Sequence, residues 1–235
     1  MNESLVLERL SKLATAHLAD AYVRMDRTVR CAPPNVRGLA PTMRCVGRCV
    51  PTRHAGSVDI FLEAIAGASA GDVLIVDNDG RLDEACVGDL IAREAKQAGL
   101  SGMVIWGLHR DTTDLLDIAL PCFSMGALPN GPLRARPRHR QARITSMIGT
   151  CLVSPDDLVV GDADGVLFLE QRDLQEIIAS AEKIRDTEWQ QARAMKEGRS
   201  LRAQLNFDDY LRKSASEPGY TFREHLRTVS GAIET

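Results

Sequence analysis

Residues 73–111 read VLIVDNDGRLDEACVGDLIAREAKQAGLSGMVIWGLHRD. After the turn at Gly71-Asp72, the short apolar run from Val73 to Asp77 predicts a buried strand. Asn78-Asp79-Gly80 has turn chemistry. Residues 88–99 carry apolar side chains at helical spacing and stop at Gly99, which predicts an amphipathic helix. Residues 102–106 repeat the buried-strand signal and run into Gly107-Leu108-His109-Arg110-Asp111. Thr112 to Leu116 continue as a helix and Pro121 to Ser124 as a further strand. This strand–helix alternation predicts an α/β fold.

Working outward, residues 4–25 place Leu5, Leu7, Leu10, Leu13, Leu18 and Ala21 at three-to-four spacing, which reads as one helix. Cys31, Pro33, Pro34 and Asn35 break that pattern. Residues 38–53 mix glycine with short apolar runs, as bent strands of a curved sheet do. Residues 57–68 read as a short helix, and residues 129–143 as a loop rich in Pro and Arg. Residues 144–170 read as antiparallel strands, with a hairpin turning at Asp162-Ala163-Asp164-Gly165. Residues 173–203 read as one long charged helix, and the tail from Asn206 as irregular or mixed. The expected organisation is one compact domain over residues 1–172. Residues 173–235 are expected to extend it and to make subunit contacts.

The chain has 235 residues, 44% apolar and 26% charged, a composition that supports a buried core. A net charge of −3 excludes a globally polycationic nucleic-acid binder. Nucleic acid is therefore not an expected partner. The basic residues are 24 Arg and 5 Lys, a skew that reads first as coding bias. The six cysteines form no Cys-x-x-Cys pair, and Cys45 and Cys49 lack a His-x₃₋₅-His partner, so a structural zinc site is not supported. Reduced thiols of a cytoplasmic protein are expected. Glu3 and Glu8 and the lack of a long apolar run argue against a signal or transit peptide. No stretch reaches the roughly 20 apolar residues that span a bilayer, so no membrane partner is expected.

Chemistry concentrates at two places in the opening stretch. Gly88 and Asp89 sit at the start of a helix, where unpaired backbone N–H groups and the positive end of the dipole receive anions. Arg110 and Asp111 directly follow a strand, and ligands of open α/β sheets bind at the carboxyl ends of strands. The two places meet on one rim if strands 73–77 and 102–106 are parallel neighbours. Asp111 with Asp89 makes a partial shell for Mg²⁺ or Mn²⁺, cations that keep several waters. Arg110 offers a forked cation to a carboxylate or an enolate oxygen. Together these groups suit a 2-oxo acid. On spacing alone, Arg110 and Asp111 read first as a surface salt bridge or loop cap, and Asp89 first as a helix-start acid favoured by the dipole.

VLIVDNDG, VGDLIAREAKQAGLSGMVIWGLHRD and the GDADGV turn resemble the RraA-like family, with TAHLADAY and RGLAPTMRCVG extending the likeness upstream. That family includes regulators of ribonuclease activity and divalent-metal pyruvate aldolases acting on 4-hydroxy-4-methyl-2-oxoglutarate. Its catalytic members carry an Asp, twenty residues, then Arg-Asp; Asp89, Arg110 and Asp111 match that pattern. The resemblance implies an αββα sandwich with a curved, barrel-like mixed sheet, assembled as a homotrimer or hexamer. It implies that Asp111 ligates Mg²⁺ (or Mn²⁺) directly and Asp89 through a water. Arg110 would steady a pyruvate enolate, and the backbone of Gly88, Asp89, Leu90 and Ile91 would grip the carboxylate. The expected reaction is aldol cleavage of a 4-hydroxy-2-oxo acid to pyruvate, with oxaloacetate decarboxylation on the side. No Lys lies near the motif, which argues against a Schiff base.

A departure accompanies the likeness. Where the aldolases carry a C-terminal Glu, KEGRSL places Arg199, and Glu197 is the nearest substitute. The alternative function is a non-catalytic regulatory trimer that binds a ribonuclease or another protein. A methyltransferase finds no glycine-rich nucleotide loop.

Asp77 to Gly80 and Asp162 to Gly165 put glycine at the fourth position, where a calcium loop needs it at the sixth, so both read as turns. The run Arg134, Arg136, Arg138, His139, Arg140, Arg143 is basic but has no interleaved aromatics, and reads as a solvated loop or a subunit contact. His17, His54, His139 and His225 are scattered, and His109 carries no assigned role.

Overall fold

The computed structural model describes residues 3–229, which fall into two compact units. One comprises residues 3–16 and 28–174; the other comprises residues 17–27 and 175–229.

The first unit begins with α1 (Glu3–Ser11) and the opening of α2 (Thr15–Arg24). The single helix expected over 4–25 breaks between them, because its termini are satisfied by remote side chains. The Asp162 carboxylate accepts the Thr15 N–H and hydroxyl, both at 2.7 Å, and the Arg44 guanidinium donates to the Leu10 and Leu13 carbonyls. Helical periodicity cannot register such partners.

After β1 (Arg37–Gly38) and β2 (Cys45–Arg53), α3 (Asp59–Ala66) leads into β3 (Val73–Asp77). Then come β4 (Ala85–Val87), α4 (Asp89–Gln97), β5 (Gly102–Trp106), β6 (Leu108–His109), α5 (Thr112–Ile118) and β7 (Cys122–Ser124). The hairpin β8 (Ser146–Ile148)–β9 (Cys151–Val153) precedes the hairpin β10 (Leu158–Asp162)–β11 (Gly165–Leu169).

Seven strands form one sheet in the order β1-β7-β5-β3-β2-β10-β11. The central four run parallel, and β1, β10 and β11 pair antiparallel with their neighbours. All five residues of β3 are buried, as a parallel strand covered on both faces requires. Its side chains alternate between two cores. Leu74 and Val76 pack with Phe61, Ala92, Ala95 and Leu115 of the helices. Val73 and Ile75 pack with Phe123, Val159 and Phe168 inside the curve of the sheet. The sheet is nearly closed, because one segment lies on both of its margins. Cys31 pairs with Leu167 of β11, and six residues later Arg37 pairs with Ser124 of β7. The expected α/β class with a barrel-like mixed sheet and a helical C-terminal region therefore holds.

The second unit contains the rest of α2 with α6 (Leu174–Lys196, whose first residue lies in the first unit), α7 (Leu201–Gln204), α8 (Phe207–Ser216) and α9 (Phe222–Thr228). The long helix expected to reach residue 203 stops at Lys196. Gly198 adopts φ 92°, and the Ser200 hydroxyl caps α7. The tail expected to be irregular is helical, with Phe207, Tyr210, Tyr220, Phe222 and His225 in mutual ring contact. The remainder of that tail lies outside the described residues. Among the described residues no helix is long and apolar enough to cross a membrane.

Candidate active site

β3 and β5 are parallel neighbours, with Asp77 opposite Trp106, so both strands end at the same level. The segments that leave them are zipped together by the parallel β4–β6 pair, Ala85 opposite Leu108 and Val87 opposite His109. The Arg110 N–H extends that pairing to the Val87 carbonyl at 2.9 Å. Between the turn at Asn78-Asp79-Gly80 and the helix at 88, β4 goes unmarked in the sequence, because three apolar residues are too few to signal a strand.

This zipper brings Gly88 against Arg110 and Asp111. A Cβ at Gly88 would collide with Asp111 Oδ2 and lie 3.2 Å from Arg110 Cγ and Nε. Glycine is required here by close approach. The Asp89 N–H points at Asp111 Oδ2 from 3.4 Å. The N–H groups of Leu90 and Ile91 belong to the same first turn of α4, which has no intrahelical acceptors.

Asp111 has φ 60° and ψ 42°, and its carboxylate makes no capping bond to α5. A non-glycine residue in that region costs about 1–2 kcal/mol, and such strain collects at functional sites. His109 holds the turn in place. It is buried, with Nδ1 2.6 Å from Ser124 Oγ and Nε2 2.9 Å from Thr112 Oγ1. Burial pushes its imidazole below the usual histidine range, so it bridges the two hydroxyls as a neutral ring.

Gly88, Asp89, Leu90, Ile91, Arg110 and Asp111 all line one cavity of about 500 Å³. Arg110 Nε lies 3.4 Å from Asp111 Oδ2, and Asp89 pairs with Arg93 at 3.3 Å. The two carboxylates are hard oxygen donors with long, incomplete pairing. Among the described residues no three His, Cys, Asp or Glu side chains converge on one point. The donor set therefore fits a divalent cation held by one or two carboxylates and otherwise by water.

Two polar features near the cavity escaped sequence reading. His54 is buried, stacked on Phe61 at 5.1 Å, with Nδ1 2.9 Å from Asn78 Oδ1. Glu84 is buried between Arg136 at 3.0 Å and Arg81 at 3.4 Å. These contacts join residues far apart in the chain, so spacing carries no trace of them. They also account for part of the basic run. Arg136 bonds Glu84, and Arg138 and Arg143 pair with Glu63 of α3, so the 129–143 loop is lashed to the cavity wall. Glu197, the candidate substitute acid, pairs with Arg193 at 3.1 Å in the second unit.

Comparison with known proteins places this geometry in context. The family model RraA-like (Aldolase/RraA) matches residues 15–168. An uncharacterized protein of Methanocaldococcus jannaschii is 31% identical over 135 residues, 57% of this chain and 63% of that protein. A protein of Halalkalibacterium halodurans with a provisional 4-hydroxy-4-methyl-2-oxoglutarate aldolase designation is 30% identical over 122 residues, 52% of this chain and 57% of that protein. The chain thus matches about three-fifths of the length of each. RraAS2 of Streptomyces coelicolor, described as an unusual member of the RNase ES inhibitor RraA family, superposes with TM-score 0.68 at 21% identity, covering 83% of this chain and all of that one.

Proposed function

The chain belongs to the RraA-like family, and from that premise we propose that it is a divalent-metal aldolase that releases pyruvate from a 4-hydroxy-2-oxo acid. The observation that carries this reading is the convergence of Asp89, Arg110 and Asp111 beside the first turn of α4 in one cavity. Asp111, with Asp89 through a water, would hold Mg²⁺ or Mn²⁺. When bound, that cation supplies a Lewis acid to the 2-oxo group.

The chain's own groups do the rest. The N–H groups of residues 88–91 receive the substrate carboxylate. The Arg110 guanidinium would meet the 2-oxo oxygen as it gains charge on C3–C4 cleavage, and its forked donors would stabilise that oxygen as an enolate. Asp89 positions the water that takes the proton of the 4-hydroxyl. Oxaloacetate passes through the same enolate on losing CO₂, which makes its decarboxylation a side activity. A trimer or hexamer is the proposed assembly.

The test is pyruvate release from oxaloacetate and from 4-hydroxy-4-methyl-2-oxoglutarate with Mg²⁺, before and after EDTA. We expect turnover that EDTA abolishes and that Asp111→Ala lowers by about 10³-fold. Unchanged turnover in that variant overturns the assignment. The second reading, a regulatory trimer that binds a ribonuclease, draws on the likeness to RraAS2. It predicts no metal-dependent turnover and retained partner binding in Asp111→Ala.

A further inference from the structure

The cavity continues past Asp111 between α3 and α4. There it is lined by Val58 and Leu62, one turn apart at the start of α3, and by Leu90 on α4. All three stay open to solvent, at 52%, 46% and 75%. Scattered exposed apolar residues are ordinary, but three around one cleft beside charged groups mark a wall for an apolar ligand group.

The charges point the same way. Arg93 is engaged by Asp89 at 3.3 Å and by Asp114 at 3.7 Å. Glu94, one turn beyond Leu90, adds a negative charge to the wall. Apart from Arg93 and Arg110, no Lys or Arg among the described residues lines the cleft. Once Arg110 has met the reacting end of a substrate, no uncommitted Lys or Arg among the described residues lining the cleft is left for a second carboxylate.

We infer, building on the pyruvate-forming reading above, that the substrate's C4 carries an uncharged aliphatic arm that lies on Val58, Leu62 and Leu90. A carboxylate in that place would lose water against apolar walls and face Glu94. On cleavage the C3–C4 electron pair passes to the enolate and the 4-hydroxyl proton leaves to water. C4 departs as an aliphatic aldehyde, and the enolate takes a proton at C3 to become pyruvate.

The experiment compares 4-hydroxy-2-oxoheptanoate, which has a propyl arm, with 4-hydroxy-2-oxoglutarate, which has a carboxylate at the same carbon. It uses the full chain with Mg²⁺ and reads pyruvate. We expect kcat/KM to favour the propyl arm by about tenfold or more. Leu62→Arg, and independently Val58→Lys, should move that ratio at least about tenfold toward the carboxylate, mainly through KM. A wild-type preference for the carboxylate, equal rates, or a ratio unmoved in both variants overturns the inference. So does a change in assembly mass by light scattering without a change in ratio, which would make this face a contact between copies. If oxaloacetate is decarboxylated but neither hydroxy acid is cleaved, the arm is wrong and the enolate site stands. If no substrate turns over, the reading beneath it falls.

Discussion

Two groups of aspartates in this protein differ in what their oxygens already do. At the hairpin turn, Asp162 accepts the Thr15 N–H and hydroxyl at 2.7 Å and the Asp164 N–H at 3.0 Å. At the end of β3, Asp77 accepts the Asp79 and Met147 N–H groups, each at 2.9 Å. On the rim, the Asp111 carboxylate has, among the described residues, contacts at 3.4 Å to the Asp89 N–H and to Arg110. It also occupies a left-handed backbone conformation that local structure does not reward. The first group is consumed by folding, and the second retains bonding capacity for something else. In the linear sequence nothing but position distinguishes these aspartates.

The sharpest way to break this contrast is to exchange consequences. Asp111→Gly should abolish metal-dependent pyruvate release, by about 10³-fold, while melting no lower than the parent, since glycine accepts φ 60° without strain. Asp162→Ala should retain turnover yet lose about 2–3 kcal/mol, because three bonds to one carboxylate go at once. Urea denaturation of both variants beside an oxaloacetate assay decides it. If the two profiles are swapped or alike, satisfied and spare carboxylates are not different in kind.

A smaller effect sharpens the spacing on the rim. Gly88→Ala should lower kcat/KM by about 10–100-fold and weaken Mg²⁺ binding measured by calorimetry, because the new methyl occupies the space of Asp111 Oδ2. Wild-type metal affinity in that variant would show that the close approach is unnecessary.

Acidity gives a third handle. Burial, the largest cause, depresses both His54 and His109 below their ordinary value of 6.5. The unfolded chain takes up these protons near pH 6.5, and the folded chain resists them to lower pH. Their contribution to stability is complete above that value and declines as pH falls below it. Urea midpoints measured from pH 8 to pH 5 should fall through this range, and His109→Gln should flatten the slope. A midpoint independent of pH in the parent would contradict the neutral buried rings.

The smallest effect concerns thiols. Burial pushes Cys45 and Cys122 up to about 12, whereas Cys31 is exposed. A disulfide reagent should label Cys31 in the native protein and reach Cys45 and Cys122 only on unfolding. Rapid native labelling of Cys45 would mean that the barrel interior opens.

These contrasts explain what was legible beforehand. Unbroken apolar runs marked β3 and β5, and their shared burial forces the parallel pairing that puts Gly88 and Arg110 on one rim. The α/β class could therefore be read from residues 73–111, whereas Asp89, Arg110 and Asp111 are singled out there by the likeness to the RraA-like family rather than by spacing alone. The break between α1 and α2, the β4–β6 zipper, the buried His109 and the lashing of the basic loop could not. Each depends on partners distant in sequence, and the helices of the tail beyond Asn206 depend on five rings that meet only once folded.

The segment over residues 30–38 pairs with both β11 and β7 and so nearly closes the curved sheet. A margin whose N–H and C=O groups are already paired offers no template to a passing strand, which is how aggregation by strand addition begins. The seam also joins Arg37 to Ser124, 87 positions on, and Cys31 to Leu167, 136 positions on, so closing it is costly in chain entropy. A chain caught before that closure would expose the edges of β7 and β11 together.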